Sequence, residues 1–394
     1  MLEFICLLLP VAAFSGWYIG KRAQGAVPPI TTRKTLSCAD YPDYHIGLNF
    51  LLNEQPDKAV DAFIRMLDVS PDSIESTLSL GNFFRRRGEV DRAIRIHQSL
   101  VTKPNLTATQ RSQSLLELAQ DYMRAGVYDR AESLLLDIIG SEDDKFDASL
   151  RHLVDIYERE KEWEKAINIA LRLQTTTHQG MGRKIAHYYC ELAELAQTAG
   201  KPKLVLEYLR EGLKHDTYCA RVSFIEGNFE KKAGEYRSAL KAYKRIECQD
   251  PAFLPEAILM IIECYDKLGE TEALAHYLDY LMHRSPSISL VLAYATQVQA
   301  KQGKAEAACF LTAYMHKHPS IRGLRYLIDF HLGRVGGEAR NELLVLQSHV
   351  DQLLEKKPVY RCSECGFASK LLHWQCPSCR EWACVKPIQG IEGE

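Results

Sequence analysis

Small and apolar residues recur at helical spacing through the middle of the chain, and this pattern itself repeats about every 34 residues. One unit reads Gly81-x-x-Phe84-x-x-x-Gly88-x-x-x-x-Ala93, and Pro104 ends its second helix. The other copies carry matching small, aromatic and proline positions: Gly47, Ala59, Pro71; Ala119, Tyr122, Gly126, Ala131; Tyr157, Ala166; Ala193, Gly200, Val205; Gly227, Gly234, Ala239, Pro251; Tyr265, Gly269, Leu274, Pro286; Ala295, Gly303, Ala308, Pro319. Each unit therefore predicts two antiparallel helices, with small residues where the helices approach closely and a proline where the second one stops.

These units resemble the tetratricopeptide repeat. The resemblance predicts an all-α superhelix of 8–9 helix pairs over residues 40–357, in which residues 322–357 form a degenerate ninth pair. Each pair of such an array contacts only its neighbours, so the array offers a long concave surface for peptides or folded proteins rather than an enclosed pocket.

The first twenty residues are predominantly apolar with Glu3 as their only charged residue, and about 20 such residues span a bilayer core. Lys21 and Arg22 follow directly, whereas no positive side chain precedes the segment. We therefore expect residues 1–20 to be a transmembrane anchor and residues 21–39 a juxtamembrane linker, with the rest of the chain on the cytoplasmic side of the membrane.

Residues 358–394 contain two C-x-x-C pairs, Cys362 with Cys365 and Cys376 with Cys379, separated by ten residues. Two such turns facing each other supply the tetrahedral sulfur ligands that zinc and iron accept. A segment this short cannot bury a self-sufficient core, so bound metal would provide much of its folding free energy. The four cysteines are the predicted metal ligands, and Tyr360, Phe367, Trp374 and Trp382 are expected to pack around them.

Composition narrows the function classes. The net charge is only −2, which gives no reason to expect nucleic-acid binding. Eight further cysteines are scattered singly without the spacing of a disulfide framework, which favours a reducing compartment. Of these eight, Cys384 is expected to be a spectator to the metal site.

No phosphate loop, nucleophile elbow or metalloprotease motif is present, so we predict neither catalytic nor cofactor-binding residues and no enzyme activity. The dispersed histidines, His187 among them, are expected to be ordinary hydrogen-bonded or solvated helix residues.

The cysteine-rich segment is similar to rubredoxin and zinc-ribbon knuckles. It departs from electron-carrying rubredoxins in its short ten-residue insert and in Arg380, which stands where they usually have glycine. Both departures favour a structural or docking module over a redox carrier.

Anchor, repeats and metal knuckle together resemble the lipopolysaccharide assembly protein B family of Gram-negative bacteria. The resemblance implies an inner-membrane regulator that works with the protease FtsH to promote degradation of the deacetylase LpxC, and that gathers other lipopolysaccharide assembly proteins. It carries the metal ligands over to Cys362, Cys365, Cys376 and Cys379 and favours one iron ion, with zinc as the close alternative. A general assembly scaffold and a rubredoxin-type electron-transfer partner remain alternatives, and self-association is left open.

Overall fold

A computed structural model of the chain describes residues 74–140, 146–177, 180–333, 335–391 and 393, together with Lys58. The expected anchor, the linker and, apart from Lys58, the first repeat copy lie outside these residues. Within the described part of the chain, no helix combines the length and the apolar character needed to cross a bilayer.

Helix follows helix through the repeat region, as the 34-residue period predicts. The helices of the described residues are α1 Ile74–Arg86, α2 Val90–Val101, α3 Ala108–Ala125, α4 Tyr128–Gly140, α5 Phe146–Glu160, α6 Trp163–Thr177, α7 Gly182–Thr198, α8 Pro202–His215, α9 Ala220–Lys232, α10 Tyr236–Gln249, α11 Leu254–Leu268, α12 Thr271–Arg284, α13 Ile288–Gln302, α14 Lys304–Lys317, α15 Ile321–Leu332 and α16 Glu338–Lys356. They form eight pairs, and the last pair, α15 and α16, is the degenerate one that the sequence predicts.

The small residues of the repeat lie where the two helices of a pair touch. Ala239 of α10 is fully buried, and Gly227 of α9 lies against Tyr243 of α10. A methyl group at Gly227 would come within 2.4 Å of that tyrosine ring. Close packing of helix on helix therefore requires glycine at this position.

Two compact units divide the chain, residues 1–110 and residues 111–394. In the first, Leu80 and Phe84 of α1 pack with Ala93 of α2. In the second, the helices from Arg111 onward and the C-terminal segment share one unit.

The C-terminal segment folds as a small antiparallel sheet. Its strands are β1 Tyr360–Cys362, β2 Ala368–Ser369 and β3 Val385–Pro387, in the order β2-β1-β3. Tyr360 pairs with Ser369 on one side and with Pro387 on the other. The first C-x-x-C turn leaves β1, and the second lies between β2 and β3, so this sheet fixes the positions of all four predicted ligands. We call residues 358–391 the knuckle.

Candidate metal centre

The four predicted cysteines converge. All four Sγ atoms lie within 4.8 Å of one another. The Sγ atoms of Cys362 and Cys379 are 3.7 Å apart, as are those of Cys365 and Cys376. Tetrahedral coordination with metal–sulfur bonds of about 2.3 Å separates the sulfurs by about 3.8 Å. The arrangement therefore fits one tetrahedral metal ion, while its assignment as iron or zinc stays a prediction because both accept four thiolates.

Backbone N–H groups in the two C-x-x-C turns stabilise the thiolate form of the ligand cysteines. Burial opposes ionisation of Cys362, but N–H donors from Cys365 and Glu364 outweigh it and lower the pKa of Cys362 to about 6. The Phe367 N–H lowers the pKa of Cys365. At Cys379 the Glu381 N–H also favours the thiolate, but burial and the neighbouring cysteines raise the pKa to about 12. Four thiolates at these distances repel one another, so a cation among them is what allows all four to ionise.

Cys384 lies closer to the site than a spectator would. Its buried sulfur lies 3.4 Å from Cys362 Sγ, and its thiol donates to the Glu381 carbonyl oxygen across 3.1 Å. Burial, followed by the contact with Cys362, raises the pKa of the Cys384 thiol. Cys384 is therefore a neutral thiol in direct contact with a ligand sulfur, a position that its place outside the C-x-x-C spacing concealed.

The prediction that four aromatic residues pack around the cysteines is correct for only two of them. Tyr360 and Phe367 pack with the cysteines, but Trp374 and Trp382 pack outward against the repeats. The reason is size: the few residues around the cysteines have no room for two indoles, whereas the repeat helices offer large apolar surfaces for them.

Trp382 is the centre of this docking. Its ring is 4% exposed and stacks on His187 of α7, with ring centroids 4.9 Å apart and an interplanar angle of 18°. Its Nε1 donates to Glu158 Oε1 of α5 across 3.2 Å. The same carboxylate accepts a hydrogen bond from Tyr188. The indole thus satisfies its one polar atom while burying its apolar surface.

A second set of contacts holds the other edge of the knuckle. Trp374 lies 5.0 Å from Phe253 and 5.7 Å from Phe224, measured between ring centroids. Tyr360 donates to Glu256 Oε1 across 2.7 Å, and Lys386 Nζ lies 2.8 Å from Asp250 Oδ2. The knuckle is therefore fixed to successive helix pairs, chiefly to α5, α7, α9 and the start of α11.

Arg380 contributes to both the turn and the docking. It has a left-handed φ of 63°, which corresponds to Gly366 at 76° after the first C-x-x-C pair. Its guanidinium lies 3.4 Å from Asp155 and 3.9 Å from Glu158, both on α5. An arginine replaces the usual glycine here because its side chain reaches the acidic end of α5.

Sequence reasoning missed the residues that receive the knuckle. His187 is 1% exposed, and burial, aided by the positive charges of Arg221 and Arg183, lowers its pKa to about 3. Arg221 is 3% exposed, lies over the Trp382 ring at 5.7 Å and donates to Glu191 and Glu194. A cavity of about 990 Å³ remains between the knuckle and the repeats beside these residues. Burial of His187 was not expected, because its partner is distant in sequence.

Asn82 and Asn228 follow the repeat glycines Gly81 and Gly227, and their side chains form hydrogen bonds within the repeats. Asn228 Oδ1 accepts from Tyr243 Oη across 2.7 Å, and Asn82 Oδ1 accepts from Arg85 Nη2 across 2.7 Å. These contacts agree with ordinary repeat chemistry at both positions.

Comparison with known proteins agrees with this architecture. Residues 360–387 match a family described as the rubredoxin metal binding domain, and residues 76–108 match the tetratricopeptide repeat. Lipopolysaccharide assembly protein B of Escherichia coli strain K12 is 39% identical to the chain, with 100% of both chains covered. The protein of that name from Haemophilus influenzae is 34% identical, again with 100% of both covered. Repeats, knuckle and full-length similarity together place the chain in the lipopolysaccharide assembly protein B family.

Proposed function

We propose that the protein is a non-enzymatic adaptor at the inner membrane that promotes degradation of LpxC by FtsH. The observation that carries this proposal is the full-length similarity to lipopolysaccharide assembly protein B, which links the chain to lipopolysaccharide. A tetratricopeptide array supports action by binding, since such arrays present extended surfaces to other proteins. An adaptor of this kind raises the encounter rate of protease and client without chemistry of its own.

The docked knuckle supports a particular arrangement of the binding surfaces. It covers part of the face formed by α5, α7 and α9, so this stretch is occupied by the chain itself. Client and protease then bind to the remaining repeat surfaces and to the outer side of the knuckle. Other lipopolysaccharide assembly proteins would bind to the same surfaces in the scaffold alternative.

The test is the half-life of LpxC after translation is blocked, with and without this protein. We expect a several-fold longer half-life without it, while an unrelated FtsH client turns over as before. If the LpxC half-life does not change, the adaptor proposal is wrong and a general assembly scaffold is the better description.

We further propose that residues 1–20 anchor the protein and leave the repeats in the cytoplasm. The support is the apolar composition of this segment and the positive residues that follow it. A reporter fused after Lys34 should be active only in its cytoplasmic form. Activity of a periplasm-specific reporter at that position would reverse the proposed orientation.

The proposed metal is one iron ion per knuckle, with zinc second. The family resemblance favours iron, and the four-thiolate geometry suits both metals. Elemental analysis of protein purified without added metal distinguishes them, and a reversible one-electron wave from that protein would favour the electron-transfer alternative.

A further inference from the structure

A second group of metal-binding side chains lies in the repeats, beneath the docked Trp382. His187 and Cys190 are three residues apart on α7 and therefore share one helix face. Cys219 directly precedes α9. A ring nitrogen of His187 and the two Sγ atoms lie within 4.8 Å of one another. All three residues are buried, with exposed fractions of 1%, 0% and 4%.

The imidazole of this group lacks a partner. His187 Nδ1 is buried and has no hydrogen-bond partner among the residues that the structure describes. An unpaired polar atom at a buried position loses its hydrogen bonds to water without replacement and destabilises the fold. Stacking on Trp382 occupies the face of the ring and provides no hydrogen-bond partner for Nδ1. An atom that accepts the imidazole lone pair would remove this cost.

The surroundings of the two cysteines differ. Contact with the Cys190 thiol lowers the pKa of Cys219, which is also the N-cap of α9, where the helix dipole favours negative charge. Burial raises the pKa of Cys190 despite the nearby Arg221 guanidinium, so a bound cation would have to displace the proton of this thiol. Two thiolates and a neutral imidazole around a divalent cation add no net charge. The ion pairs of Arg221 with Glu191 and Glu194 are therefore compatible with a bound metal.

We propose that His187, Cys190 and Cys219 form a second metal site that binds zinc. Two sulfurs and one imidazole nitrogen are a recognised zinc ligand set that leaves a fourth position open. His187 and Cys219 also line the cavity between the repeats and the knuckle, so water can reach that fourth position. With zinc bond lengths, the three ligand atoms would lie about 3.5–3.8 Å apart, which requires them to close by about 1.3 Å at most.

This site would connect α7, the start of α9 and the docked knuckle. It ties α7 to the start of α9, and it fixes the imidazole ring on which Trp382 stacks. Zinc binding in the repeats would thereby stabilise the docked position of the knuckle. The H-x-x-C spacing with a third ligand 29 residues later in the sequence does not match a ribbon or finger, so the sequence alone does not indicate it.

The test is the metal content of the full-length protein, purified in detergent from cells supplied with zinc and passed through a brief chelator wash. We expect two metal equivalents per chain. Cys219→Ser should retain one, and serine is a favoured N-cap residue, so α9 should still begin normally. Cys264→Ser is the matched control, because Cys264 is a buried repeat cysteine outside both groups, and it should retain two.

Cobalt provides a second measurement. Addition of Co²⁺ to the metal-free full-length protein should give thiolate-to-cobalt absorption from two sites, and Cys219→Ser should lose part of it. A single equivalent in the unmodified chain, or no loss in Cys219→Ser, overturns the proposal. A mass loss of two hydrogens at Cys190 and Cys219 overturns it as well, because the two cysteines would then form a disulfide.

Discussion

Arg380 combines an unfavourable backbone conformation with a favourable side chain. A left-handed φ costs a non-glycine residue about 1–2 kcal/mol. The guanidinium offsets part of this cost through Asp155 and Glu158 on α5. The residue therefore couples the geometry of the second cysteine turn to the docking of the knuckle.

Two substitutions separate these contributions. Arg380→Ala removes the ion pairs and keeps the backbone cost, whereas Arg380→Gly removes both. We expect the knuckle to be more stable in Arg380→Gly than in Arg380→Ala by about 1 kcal/mol, read from amide hydrogen exchange of knuckle residues in the metal-bound protein. Equal exchange in the two variants would mean that the backbone of this turn is not strained.

Trp382 should decide whether the knuckle stays docked. Trp382→Ala removes the stack on His187 and the hydrogen bond to Glu158, and loss of a buried indole costs about 3–5 kcal/mol. We expect cleavage by trypsin after Lys356 to become at least tenfold faster, with the knuckle metal retained. Leu371→Ala is the control, because Leu371 is 69% exposed on the same knuckle. Unchanged cleavage of Trp382→Ala would show that the docking does not depend on this ring.

At the scale of single elements, the close approach of paired helices depends on a few small residues. Gly227 faces the Tyr243 ring, whereas a methyl group at Gly140 of α4 would meet no atom of the described residues within 4 Å. These two glycines form a matched pair for testing the packing.

Gly227→Ala should destabilise the second unit by about 1–3 kcal/mol, because the new methyl group forces the Tyr243 ring or the helix to shift. Gly140→Ala should leave stability unchanged or raise it by a few tenths of a kcal/mol. Urea denaturation followed by helical circular dichroism measures both. Equal midpoints for the two variants would contradict the packing described for α9 and α10.

The elements were predictable because their signals are local. Repeated small residues, aromatic residues and prolines predict helix pairs, and the degenerate pair α15 and α16 was predicted from its amphipathic pattern. The convergence of Cys362, Cys365, Cys376 and Cys379 was likewise predictable, because each C-x-x-C pair forms one turn. The role of Cys384 and the outward packing of Trp374 were not predictable, because each depends on which distant surface comes close in the folded chain.

At the scale of the whole second unit, the metal and the repeats stabilise different parts of the molecule. The knuckle has three very short strands and a small cluster of buried residues around its cysteines. The repeat helices have their own larger buried clusters. Loss of the knuckle metal should therefore unfold the knuckle and leave most helices folded.

Removal of the knuckle metal tests whether the knuckle and the repeat helices are stabilised independently. Chelation at neutral pH, or Cys376→Ser, should expose Trp374 and Trp382 to water and shift tryptophan fluorescence to longer wavelength. Helical circular dichroism should fall by only a small fraction. A large loss of helix would instead show that the repeats depend on the knuckle for their own stability.

The hydrogen bond between Trp382 and Glu158 joins residues 224 positions apart, and this separation has a consequence for synthesis on the ribosome. At about 5–20 residues per second, the chain between them takes about 11–45 s to make. The helices α5, α7 and α9 are complete long before the knuckle that covers them. During this interval a groove lined by His187, Tyr188 and Phe224 is open on the nascent chain, so any message truncated before Cys362 yields a protein whose groove is never closed.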